Sequence, residues 1–166
     1  NYTPLLYFFK LKGGSTMARE IAMESVQIGF RNFEGREGPY NRKGERDFVV
    51  FLDDEFAREL EAGGWNIKWP KPNDHIAPEE DDRQPYLPVA VGFDFYPAKV
   101  YLISNDNVTK MDPEEVEMLD WAELENIDLV IRPYEWEVNG QKGIKAYLKA
   151  GYFTIVTNAF DEKYGI

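Results

Sequence analysis

Alternation of apolar and polar positions runs through most of the chain. In "ESVQIGF" the residues Val26, Ile28 and Phe30 fall on every second position, and in "DFVVFLD" Phe48, Val50 and Leu52 do the same. A period of two puts such side chains on one face of a half-buried strand. The stretch 86–104, "YLPVAVGFDFYPAKVYLIS", continues the pattern through Leu87, Val89, Val91, Phe93 and Phe95. It predicts a long bent strand or a hairpin, interrupted near Tyr96-Pro97. Two more strands flank Asn139-Gly140.

Helical signals are few. Asp53 is placed to cap a short helix over "DEFARELEA", which Gly63-Gly64 would stop. "MDPEEVEMLDWAEL" predicts the principal helix, with Asp112 as N-cap, Pro113 in the first position and Val116, Leu119 and Leu124 as an apolar stripe. "NAFDEKY" predicts a short terminal helix. In "WNIKW", Trp65, Ile67 and Trp69 read as core, with a stacking patch that includes Lys68 as the alternative. The Pro- and acid-rich stretch 70–85 reads as a surface excursion. Residues 1–16 end in "KGGST" and precede Met17. They read as a leader, tag or flexible arm ahead of a single domain over 17–166, or else "PLLYFFKLK" is a strand that pairs with an exposed sheet edge. Strands, one principal helix and a closing hairpin together predict a mainly β fold. The order fits an OB-like Greek-key barrel with the principal helix between strands three and four and the 54–62 helix as a short insertion.

The closing hairpin can be read in more detail. Asn-Gly is the favoured pair for a two-residue type I′ turn, because both central residues need positive φ. The register follows: Val138 faces Gln141, Trp136 faces Gly143, Tyr134 faces Lys145, Arg132 faces Tyr147 and Val130 faces Lys149. One face then carries Arg132, Tyr134, Trp136, Lys145, Tyr147 and Lys149. The other carries Leu129, Ile131, Pro133, Ile144, Ala146 and Leu148, a core surface.

Composition makes that face unusual. The chain has 166 residues, is 43% hydrophobic and 15% aromatic, and carries a net charge of -11. Such a charge argues against general attraction to nucleic acid. Screening, however, limits charge effects to about 8–10 Å at physiological salt, so a local stripe can act alone. The acids gather in 53–61, 74–82 and 112–125, away from the hairpin face. Aromatic rings beside cations can pack as ordinary cross-strand pairs. They can also stack bases while Arg and Lys meet phosphates. The 31–46 loop adds Arg31, Phe33, Arg36, Tyr40, Arg42, Lys43 and Arg46, diluted by Glu34, Glu37 and Glu45. In an OB barrel this loop and the hairpin flank one groove.

Three blocks, "FRNFEGREGPYNRKGERDFVVFLD", "GWNIK" and "MLDWAELENIDLVIRPYEWEVNGQKGIKAYLKAGYFTI", resemble a family of bacteriophage OB-fold single-stranded DNA-binding proteins. The resemblance spans about 25–164. It implies a protein that coats single-stranded DNA in phage replication or recombination, in the host cytoplasm, with replication or recombination proteins as further partners. The resemblance does not assign individual DNA contacts.

Catalysis is not expected. There is no cysteine and one histidine, His75, in the acidic loop. Thiolate chemistry and multi-histidine metal sites are therefore excluded. "DDE" at 53–55 reads as a helix cap and "EEDD" at 79–82 as a solvated loop, so no metal or cofactor is expected. No stretch approaches the ~20 apolar residues of a membrane helix. The rival reading is an acidic protein-binding module, such as a DNA mimic that occupies a partner's nucleic-acid groove.

Overall fold

Among the described residues the alternating segments assemble into one nine-stranded sheet. The computed structural model describes residues 6–9, as backbone, and 18–157. In chain order the elements are β1 (Leu6–Phe9), β2 (Glu20–Met23), β3 (Gln27–Asn32), β4 (Arg46–Phe51), α1 (Asp54–Ala62), β5 (Tyr86–Val91), β6 (Lys99–Ser104), β7 (Asn107–Lys110), β8 (Leu124–Val138) and β9 (Gln141–Ile155). Neighbours run β1-β2-β8-β9-β5-β4-β3, while β6 pairs with β9 and β7. The strand Leu6–Phe9 pairs antiparallel with β2. The remainder of 1–16, Met17 and the "NAFDEKY" helix expected at 158–164 lie outside the described residues.

β2 and β3 are neighbours in sequence but stand far apart along the strand order. Only Glu24, Ser25 and Val26 join them, and Ser25 takes a positive φ of 49°. The bend is pinned to β8: the Ser25 N–H donates to Asp128 Oδ1 (2.8 Å) and the Val26 N–H to the Ile127 carbonyl (3.0 Å). The sheet therefore curls until β3 and β2 approach each other, although no ladder closes it among the described residues. Inside lie Phe33, Phe48, Val50, Leu87, Ile131 and Phe153, all essentially inaccessible to water.

The alternation in β4 and β5 is as the sequence predicts, with Phe48, Val50 and Leu52, and Leu87, Val89 and Val91, all buried. β5 and β6 both lie parallel to β9 on its same side, β5 at 146–147 and β6 at 150–154. They form one long track interrupted at 92–98, which decides for the bent strand over the hairpin. Phe95 leaves the pattern in that interruption and is 94% exposed. Phe30 also leaves its pattern: its φ of 46° and a register shift between Gly29 and Asn32 turn its ring outward, where it meets Phe51 and Tyr86.

α1 is as expected, with Asp53 Oδ1 accepting from the Phe56 N–H (2.8 Å) and Phe56, Ala57 and Leu60 buried. The principal helix is not found. The 112–124 segment contains only a 3-10 turn at Val116–Asp120. Two side-chain interactions from β3 and its following loop compete with the helix. Arg31 Nη1 takes bonds to the Leu119 (3.0 Å) and Ala122 (2.7 Å) carbonyls. The Asp120 carboxylate accepts from the Phe33 and Glu34 N–H groups. In place of the expected helix stand this turn and the β6–β7 hairpin, whose Asn105 and Asp106 both have positive φ.

Candidate nucleic-acid interface

The β8–β9 turn has the anticipated chemistry. Asn139 and Gly140 adopt φ of 52° and 80°, and Val138 pairs with Gln141. From there to Ile131–Leu148 every pair falls in the expected register, including Trp136–Gly143, Tyr134–Lys145 and Arg132–Tyr147. The register then slips. Val130 pairs with Ala150 instead of Lys149, because a bulge adds one residue to β9. Lys149 therefore leaves the regular ladder, and its Nζ pairs with Glu20 Oε1 at 2.9 Å.

On the outer face the rings and cations are organised against one another. The Arg132 guanidinium lies over Tyr96 (4.8 Å) and Tyr147 (5.1 Å). Lys145 Nζ also approaches the Tyr147 ring (5.2 Å), and Tyr134 meets Tyr147 edge-on at 6.1 Å. Tyr134 remains 53% exposed and Trp136 38%. The indole lies across Gly143, where a β-carbon would come within 2.5 Å of Cζ2. Glycine here lets the ring lie flat on the strand. The inner face is the predicted core, with Ile131, Pro133, Ile144, Ala146 and Leu148 buried.

A groove of about 630 Å³ runs beside this face. Its walls include Arg46, Asp47, Trp136, Lys145 and Tyr147, with Pro88 and Ala90 of β5 between them. Hairpin and loop thus meet at one groove, but through its last residues alone. Arg46 also stacks on Phe93 (4.9 Å) and donates to the Pro113 carbonyl (2.9 Å). Tyr40, Arg42 and Lys43 stand exposed at the loop tip, outside the groove lining. Asp47 and Glu45 are unfavourable groups in the groove lining. Burial raises the Asp47 carboxyl above the ordinary value, against a lowering bond from Asn41 Nδ2 (2.8 Å).

Three residues of the 31–46 stretch do internal work. Phe33, placed by sequence among the DNA contacts, is fully buried, stacked on Phe48 (5.2 Å) and edge-on to Phe153 (5.7 Å). Arg31 is held by the carbonyls of the 116–122 segment. Arg36 donates to the Arg31 carbonyl (3.2 Å) and lies near Glu34 and Asp120. Sequence reading also overlooked Tyr96, which clamps Arg132. The signal for it was present in "FDFYP", where an aromatic cluster next to a proline interrupts a strand. Among the described residues no three His, Cys, Asp or Glu side chains gather to hold a metal ion, and no helix is long and apolar enough to cross a membrane.

A family model described as "Putative phage ssDNA-binding domain" matches residues 14–166. No curated protein sequence matches the chain. Among solved structures, the single-stranded DNA-binding protein from bacteriophage Enc34 in complex with ssDNA superposes with a TM-score of 0.55 at 12% identity, covering 92% of this chain and 98% of that one. A C-terminal truncation of the same protein gives 0.54 at 11% identity, covering 91% and 96%. At such identities the likeness is one of fold.

Proposed function

The chain belongs to the phage ssDNA-binding domain family, and from that premise we propose that it binds single-stranded DNA with little sequence preference along the outer face of β8–β9. The observation that carries this placement is the hairpin register, which puts Tyr134 and Trp136 on the open side beside Arg132 and Lys145. Aromatic faces accept any base, at about 1–3 kcal/mol per stacked base. Adjacent cations meet phosphates and release counterions.

The topology supports an OB-type reading. β2 and β3 act as one bent first strand, β4 as the second, β5 with β6 as the third, and β8 and β9 as the fourth and fifth. The parallel pairing of β5 with β9 fits that order. The 33–45 loop and the Asn139-Gly140 turn then take the two loop positions that flank an oligonucleotide groove. The exposed Tyr40, Arg42 and Lys43 serve as an outer clamp, and Arg46 and Lys145 as the inner cations. Coating of exposed strands in phage replication or recombination is the setting we infer.

Titration of intrinsic tryptophan fluorescence with oligo-dT at two salt concentrations tests the proposal. Binding should weaken with salt, with a log–log slope of about -0.7 per phosphate neutralised. A folded Tyr134→Ala, Trp136→Ala variant should lose most of the affinity. Unchanged binding by that variant overturns the placement, and a wild-type protein silent towards oligo-dT at low salt favours the acidic protein-binding module.

A further inference from the structure

Beyond the hairpin groove the outer face does not end. A second depression of about 610 Å³ lies further along β8 and β9, towards β2 and β6. Its floor is low, formed by Val130 and Ala150. Phe95 and Tyr96 from the 92–98 interruption line the depression, 94% and 73% exposed. Tyr152 and Tyr101 line it as well, one flat on the other, with ring centroids 5.0 Å apart and planes 10° from parallel. Lys99 and Lys149 stand at its margin. One carboxylate, Glu20, also lines it, and it is already paired with Lys149.

The two depressions share a post. Tyr147 lines the first, Tyr96 and Arg132 line the second, and the Arg132 guanidinium lies between the two rings. A cation held over two aromatic faces is positioned before any ligand arrives, so little side-chain entropy is lost on binding. It can meet a phosphate that passes from one compartment to the other.

Resting on the proposed function above, we infer that this second compartment is a further single-stranded DNA subsite, and that a strand leaving the hairpin groove crosses Arg132 and continues onto the Phe95, Tyr96 and Tyr152 rings. The occupant is the same strand because the surface is continuous with the hairpin face and repeats its chemistry of open rings edged by cations. From Trp136 to Val130 the face extends about 20 Å along β8, at about 3.3 Å per residue. The site is therefore longer than the hairpin alone, and the bulge at Lys149 serves it by turning Ala150 and Tyr152 onto the outer side.

The test is the dependence of affinity on oligomer length, using dT oligomers from about 4 to 16 nucleotides, the range of OB-domain site sizes. Wild-type affinity should rise in two steps. A Phe95→Ala variant should keep the first step and lose the second, binding the longest oligomers about 5–150-fold more weakly. Tyr152→Ala, which leaves the Arg132 clamp intact, should show the same length dependence. If both variants bind long oligomers as the wild type does while the Tyr134→Ala, Trp136→Ala variant is impaired, the second subsite is wrong and the hairpin placement stands. Equal weakening at every length also overturns the second subsite. If the hairpin variant too binds normally, or the wild type binds no length, both placements fall.

Discussion

Gly143→Ala isolates the contact on which the hairpin surface depends. A β-carbon at 143 would lie 2.5 Å from Trp136 Cζ2, 2.7 Å from Cε2 and 3.0 Å from Nε1. Carbon atoms pack at about 3.5–4.0 Å, so the indole must lift or tilt by roughly 1 Å. It can do so because it is 38% exposed. The fold should therefore hold. The cost of displacing the ring is partly offset by the lower entropy of the unfolded alanine chain, about 0.4–1 kcal/mol. DNA binding should not be spared. A ring raised from the strand changes the face it offers to a base, and up to one stacked base, about 1–3 kcal/mol, is lost. The assay is a double-mutant cycle with Trp136→Ala, read by anisotropy of a labelled oligo-dT beside thermal unfolding. Gly143→Ala should weaken binding in the wild type and do nothing further in the Trp136→Ala background. Equal weakening in both backgrounds would show that Gly143 acts through something other than the indole and would refute the reasoning.

Phe33→Ala should destabilise the fold by about 3–5 kcal/mol, since it empties a fully buried site between Phe48 and Phe153. Urea unfolding checks this, and a small stability loss accompanied by weak DNA binding would return Phe33 to the binding surface. Asp47→Asn should tighten binding at neutral pH by about threefold, the effect of removing one charge about 7 Å from a phosphate in a water-like dielectric. Burial raises the Asp47 carboxyl, so the fold favours its protonated form. That contribution to stability is present at acidic pH and is lost as pH rises through the folded-state pKa. The wild type and the variant should therefore converge in affinity and stability as pH falls, and a constant gap across pH contradicts the assignment.

What the sequence determined by itself is local. Asn139-Gly140 reverses the chain because few other residue pairs accept positive φ twice, and the period of two then settles which side chains face outward as far as Arg132 and Tyr147. Asp53 and Gly63-Gly64 bound α1 for similarly local reasons of capping and chain reversal. Tertiary structure decided the rest. "DPEEVEML" carries good helix signals, but Arg31 claims the carbonyls of Leu119 and Ala122 and Asp120 caps the backbone after β3. Those partners lie some 90 residues away, as the separations of 87 to 91 positions show, and no local pattern encodes them. Phe33 sits in a loop that reads as polar, yet the curl of β3 over Phe48 buries it. Lys149 leaves its register through a bulge that no turn dictates. The clamp of Tyr96 and Tyr147 on Arg132 exists only because the 92–98 interruption folds back beside β9, bringing together a ring and a cation that the alternation of either strand alone leaves unrelated.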